Sequence, residues 1–173
     1  MKHPALVPQL KILWLGLDAI LQQVGLARRE MGRLARGYPI IRLWRDLPGV
    51  GLIRAGTLLA YLDTPWRFGS PKKLYRYCGV GLKQFSSGSN EDGSPRPGHL
   101  RLFHGVNRRL KDAVMGAALS AICQGNNPFA DYYRRVIAHG VMPCNARHSV
   151  ARKQLRVMWG MWKTDSPYDE RLV

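Results

Sequence analysis

Acidic residues are scarce in this chain. Asp and Glu number 11 against 27 Lys and Arg, which leaves a formal net charge of +16 at pH 7 over 173 residues. A surface so poor in carboxylates does not suit a basic partner. It suits a polyanion, either nucleic acid or an anionic membrane surface. Cysteine is scarce as well. Cys78, Cys123 and Cys144 are far apart, odd in number and form no CxxC pair. That excludes a disulfide framework and points to free thiols in a reducing cytosol. His139, Cys144 and His148 lie close in sequence but have no fourth ligand nearby, so no metal site is expected from them. Long apolar runs are also missing. Ile12 to Leu17 is too short to span a bilayer and is followed by Asp18, with no cleavage site after it. A soluble, cytoplasmic chain without a membrane partner is therefore expected. Strong strand signals, internal repeats and low-complexity segments are absent too. The expected fold class is mostly α.

What is present is helical pattern. Leu10, Leu13, Leu17, Ile20, Val24, Ala27, Met31 and Leu34 alternate spacings of three and four, the a/d seam of a coiled coil. Arg28, Arg29, Arg33 and Arg36 load its end, where cations suit the helix dipole, and Gly37 and Pro39 follow as cap and stop. The seam predicts self-association through residues 10–34. The plainer alternative is an amphipathic helix packed on its own domain. A short helix bearing Ile41, Trp44 and Leu47 comes next, then Pro48-Gly49-Val50-Gly51, then a helix bearing Ile53, Leu58, Leu59 and Leu62. Ser70-Pro71 announces another helix, Asn107 caps a fifth and Asn127-Pro128 opens a sixth. The last spans roughly Ala146 to Lys163 with Ala151, Leu155, Met158 and Trp162 inward, and the tail after Thr164 is polar and expected to fray. The expected division is 1–38 as a coiled-coil dimerisation helix, 40–165 as a compact helical domain and 166–173 as a polar tail.

Three elements could carry chemistry. Leu47-Pro48-Gly49-Val50-Gly51 followed by Ala55 matches a helix-hairpin-helix. Its glycines permit a tight turn with positive φ whose N–H groups would face a phosphate, which makes Gly49, Val50 and Gly51 candidate contacts. The helix starting at Asn107 gathers Arg101, Arg108, Arg109 and Lys111 near its positive end, and Arg152 and Lys153 add charge from the last helix. Between these elements lies an irregular stretch, residues 83–100, holding Ser86-Ser87-Gly88. A serine hydroxyl needs a base, a cation or a metal to become a nucleophile. Ser86, His99 and His104 are its neighbours, and Glu91 and Asp92 are poor metal ligands in such a loop. By its residues alone this stretch reads as a linker.

The order of these pieces resembles the C-terminal half of the DEDD-type insertion-sequence transposases, the IS one-ten family, whose members are guided by a structured bridge RNA. The resemblance runs from about Leu47 to Asp169. It rests on Leu47-Pro48-Gly49-Val50-Gly51, Ser70-Pro71-Lys72-Lys73-Leu74, Gly79-Val80-Gly81-Leu82, Ser86-Ser87-Gly88, Asn107-Arg108-Arg109-Leu110, Asn127-Pro128, Val150-Ala151-Arg152-Lys153 and Met161-Trp162-Lys163-Thr164. It implies that Ser87, or less favourably Ser86, attacks a DNA strand and holds it covalently. It also implies coiled coils that join protomers, and a separate N-terminal RuvC-like domain whose acidic residues bind magnesium. This chain begins at the coiled coil, so magnesium is expected there and no cofactor within the chain itself. Two positions depart from the family pattern: Val106 stands where glycine is usual, and Glu91 and Asp92 stand where basic residues are common. The resemblance thus implies a transposase part, dimeric or of higher order, that binds DNA and a structured guide RNA and is inactive in strand cleavage alone. The alternative is a non-catalytic helix-hairpin-helix protein, a remnant of a mobile element.

Overall fold

The computed structural model describes residues 6–85, 99–102 and 105–173. In chain order these form α1 (Leu6–Ala35), α2 (Pro39–Arg45), α3 (Leu52–Leu62), a 3-10 turn (Pro65–Arg67), α4 (Pro71–Tyr77), β1 (Leu82–Phe85), β2 (His99–Leu102), α5 (Arg108–Gln124), α6 (Pro128–Ala138) and α7 (Pro143–Thr164), with a final 3-10 turn at Glu170–Leu172. The mostly α expectation holds.

Helix α1 runs for 30 residues and buries none of them. Leu10, Leu13, Leu17, Ile20, Val24 and Leu34 of the seam are all exposed. So are Ile12, Trp14, Leu15, Leu21 and Leu26, which lie off it. Only the end of α1 rests on the rest of the chain. A Cβ placed on Gly56 of α3 would meet Met31 Cε at 2.8 Å, and one placed on Gly32 would meet Leu52 Cδ2 at 3.8 Å. Leu6–Ala35 is also the one described helix long and apolar enough to cross a membrane, with a mean hydropathy of 1.3. The short run Ile12–Leu17 understated this, because Ile20, Leu21, Val24 and Leu26 continue the apolar character past Asp18.

The remaining helices share one core. Trp44 of α2 is fully enclosed, donates its indole N–H to the Met158 carbonyl at 3.1 Å and meets Trp162 edge-on at 5.0 Å. Leu58, Leu110, Phe129 and Leu155 are buried in the same core, each side chain contributing about 1.5–3 kcal/mol. Ala117, Ala118 and Ala121 give α5 a narrow face onto which its neighbours close. The predicted caps form. Ser70 Oγ accepts from Lys73 N–H, Asn107 Oδ1 from Leu110 N–H, and Asn127 Oδ1 from the N–H groups of Phe129 and Ala130. Pro39 both follows the end of α1 and opens α2.

Two features differ from expectation. Residues 82–85 and 99–102 pair as antiparallel strands, with Leu82 opposite Leu102 and Phe85 opposite His99. Each strand is only four residues long and two carry charge, too little for a period of two to register. The tail does not simply fray. Tyr168 stacks on Phe129 with ring centroids 6.1 Å apart, and Val173 rests against the core.

Candidate nucleic-acid interface

The turn between α2 and α3 is set by its glycines, in two different ways. Gly49 has φ +80°, and a Cβ there would meet the Ala117 carbonyl oxygen at 2.1 Å and the Ala121 nitrogen at 2.7 Å. Gly49 therefore serves both the left-handed backbone and the seating of the turn on α5. Its carbonyl accepts from Arg54 Nη1 at 2.8 Å, and the same nitrogen donates to Ser120 Oγ at 2.9 Å. The Pro48 carbonyl accepts from the buried Gln154 Nε2 of α7 at 2.6 Å. Val50 is buried below. Gly51 is different. It is extended, has open space around its Cβ position and caps α3 with no side-chain bond to the free N–H groups. Those groups open onto a cleft shared by Arg28 of α1 with Leu52, Ile53 and Arg54. The expected positive φ thus falls on Gly49 alone, and only the Gly51 end faces outward. Ala55 is fully buried, as close approach of the two helices requires.

A second group of cations gathers around the sheet. Gly79, with φ +74°, turns the chain out of α4, and a Cβ there would meet Val106 Cγ2 at 2.8 Å and Lys111 Cδ at 3.2 Å. Lys111 of α5 therefore lies over this turn. Arg152 of α7 reaches it from the other side, donating from Nη1 to the Val80 carbonyl at 3.0 Å and from Nη2 to Ser149 Oγ at 2.9 Å. Lys83 and Arg101 stand directly opposite in the strand register, a like-charge pairing across the two strands. Arg76, Tyr77, Lys83, Gly105, Val106 and Asn107 line a cleft between α4, β1 and the start of α5. Arg108 and Arg109 are exposed on the first turn of α5, while Asn107 spends its side-chain oxygen on the cap. Lys153, half-buried, follows Arg152 on α7.

His148 adds a titratable group here. Its Nδ1 bonds the Cys144 carbonyl at 2.8 Å, leaving Nε2 as the free ring nitrogen. Burial holds its pKa below the usual histidine value, and the positive charges of Lys111 and Arg152 push the same way, against the backbone bond to Cys144. The ring is neutral at pH 7. Arg152 itself is held below the ordinary arginine value, first by burial.

Ser86 and Ser87 lie outside the described residues, as do Glu91, Asp92 and His104. β1 ends at Phe85 and β2 begins at His99, so both serines belong to the connection between the strands. Of the cysteines, Cys78 is enclosed, and burial pushes its thiol up to about 12, which leaves no thiolate to attack anything. Among the described residues no three His, Cys, Asp or Glu side chains come together as a metal site. His139 Nδ1 is tied to the Arg135 carbonyl rather than turned toward Cys144. Sequence reasoning missed Gln154, whose signal was a polar residue in the apolar stripe of α7. It also missed His148 as part of a cationic group, because its neighbour Lys111 comes from distant sequence.

Residues 41–134 match the family described as Transposase IS116/IS110/IS902, a span running from α2 into α6. The chain is also similar to a protein of Streptomyces coelicolor described as "Insertion element IS110 uncharacterized 43.6 kDa protein". The two are 27% identical over 157 residues, which cover 90% of this chain and 37% of that relative.

Proposed function

This chain belongs to the IS116/IS110/IS902 transposase family, and on that premise we propose that it is the DNA-gripping part of a transposase with Ser87 as its strand-attacking nucleophile. The observation that carries this reading is the gathering of cations from four elements along the β1–β2 hairpin and the turn that leads into it. Lys83 and Arg101 face each other in the strands, Lys111 and Arg152 lie over residues 79–80 just before β1, and Arg108 and Arg109 are exposed on the first turn of α5. A phosphodiester drawn to Lys83 and Arg101 would lie on the two strands whose connection holds Ser86 and Ser87 in sequence. In the reaction the serine oxygen forms a new P–O bond and the bridging P–O bond to the departing strand end breaks. The leaving oxygen takes up the proton that the serine loses. Strand exchange is the reverse attack by a second strand end, with no net hydrolysis.

The chain corresponds to 37% of the length of its Streptomyces relative. The magnesium-binding acidic residues of the full active site would then be supplied from outside the stretch described here. A structured guide RNA is a second polyanion that the net charge of +16 would accept. Helix α1 would join copies along residues 10–34 into a homodimer or higher oligomer. Trp14 and Leu21 widen its apolar face beyond the two-residue seam, which favours more than one neighbour. Asp18 argues against membrane insertion, since a carboxylate at a bilayer centre costs about 2.5–3.5 kcal/mol, whereas off the seam it stays in water. The compartment is the cytoplasm.

The test is adduct formation. Incubated with DNA and magnesium, the chain alone should bind without cleaving. The full-length protein should form a covalent DNA–protein adduct on the peptide containing Ser87, lost in Ser87→Ala and kept in Ser86→Ala. An adduct that survives Ser87→Ala would overturn the assignment.

A further inference from the structure

The most exposed large apolar side chain among the described residues is neither in the seam nor near the sheet. Trp66 sits on the 3-10 turn after α3 with 71% of its surface open. The turn is held firmly. Thr64 Oγ1 accepts the Trp66 N–H at 3.4 Å, Pro65 is buried, and Trp159 of α7 donates its indole N–H to the Pro65 carbonyl at 3.0 Å. An indole on so fixed a backbone loses little freedom when something covers it.

One cation lies against this indole and another adjoins it in sequence. Lys163 Nζ lies 5.1 Å from the Trp66 ring centre and 3.9 Å from that of Trp159, so the ammonium is shared by two indoles. On the following residue, the Arg67 guanidinium lies 4.6 Å over the Tyr77 ring and 5.9 Å over Phe68, which pins a second charge while Arg67 stays exposed. An exposed indole with one cation against its ring and a second held on the next residue is complementary to a flat, apolar group carried on a polyanion. A nucleobase and its flanking phosphates have that form. Bases in a duplex are already stacked on each other, so the group must be unpaired.

We propose that Trp66, with Lys163 against its ring and Arg67 next in the chain, is a stacking platform for an unpaired nucleobase of single-stranded nucleic acid. The site rests on the nucleic-acid reading above but is separate from the cations around the sheet. It gives this chain a contact for the single strands that accompany strand exchange or loop out of a folded RNA.

The test compares binding of an unstructured oligothymidylate and a mixed-sequence DNA duplex to the whole chain at one salt concentration. Trp66→Ala should weaken the oligothymidylate by about 5- to 100-fold, the range for losing one stacked base. Trp66→Phe should keep most of the affinity. The duplex should change by less than about twofold, since it presents no free base face. Lys163→Gln should make the salt dependence for the single strand shallower by about 0.7, whereas Trp66→Ala should leave that slope unchanged. Because Trp66 is exposed, thermal midpoints of its variants should match wild type, which separates lost stacking from lost folding. Equal loss for single strand and duplex, or no loss for the single strand, overturns the proposal while leaving the general nucleic-acid reading intact. Wild-type chain that binds neither probe overturns both.

Discussion

Helices α1 and α7 both carry a regular apolar stripe and meet opposite fates. α7 buries eight of its 22 residues, among them Val150, Leu155, Met158 and Met161, whereas α1 buries none of its 30. Periodicity does not separate them, because both show a regular apolar stripe. What separates them is what lies opposite. α7 packs on α5, accepts the Trp44 indole N–H at its Met158 carbonyl and donates from Gln154 to the Pro48 carbonyl. α1 meets the chain only near Met31 and Gly32 and leaves its first six turns facing solvent. An apolar pattern states that a face must be covered. Only the fold states whether the same chain covers it.

Paired substitutions sharpen this contrast. Trp44→Ala should cost about 3–5 kcal/mol in denaturant unfolding, the usual price of emptying a buried tryptophan site. Trp14→Ala should leave that stability unchanged and lower self-association, read by sedimentation. Loss of stability from Trp14→Ala at protein concentrations where the chain is monomeric would mean that α1 is covered within its own chain.

Glycines make the second pair. Gly49→Ala forces a Cβ against the α5 backbone in a left-handed conformation and should cost about 2–5 kcal/mol. Gly16→Ala, with nothing within 4 Å, should instead raise helicity, with about 1 kcal/mol in favour of α1. Between these lies Gln154→Leu, which strands the Pro48 carbonyl in the core and should cost about 1–3 kcal/mol. A neutral result would show that water reaches that carbonyl.

The smallest effect is proton-linked. The pKa of His148 is lower in the fold than in the unfolded chain, so the unfolded state binds more protons below the ordinary histidine value. Its stabilising share is complete above about pH 6.5, the unfolded value, and is lost as pH falls toward the depressed folded pKa. His148→Gln should flatten the stability profile across that window, and a profile identical to wild type would remove His148 from the account.

Much of this was legible in the residues. Ser70, Asn107 and Asn127 announce helix starts because a capping side chain acts on its own next turn. The seam of α1 is likewise local. The strands were not legible, since four residues of β1 find their register only against partners from Leu102 back to His99. The role of Gly49 was half legible. Two glycines foretell a tight turn, but the 2.1 Å approach to Ala117 depends on where α5 comes to lie. The meeting of Lys111 and Arg152 over residues 79–80 is long-range in the same sense, and so is the approach of Lys163 to Trp66.

The claim at the centre is that the face around β1, β2, α5 and α7 grips phosphate. Its most direct test is the salt dependence of duplex DNA binding by the wild-type chain and by the Arg108→Gln/Arg109→Gln double variant. Both arginines are exposed, so the thermal midpoint should not move. If each contacts a phosphate, the plot of log affinity against log salt should become shallower by about 1.8 in the double variant. An unchanged slope would contradict the account and place the DNA on another face of the molecule.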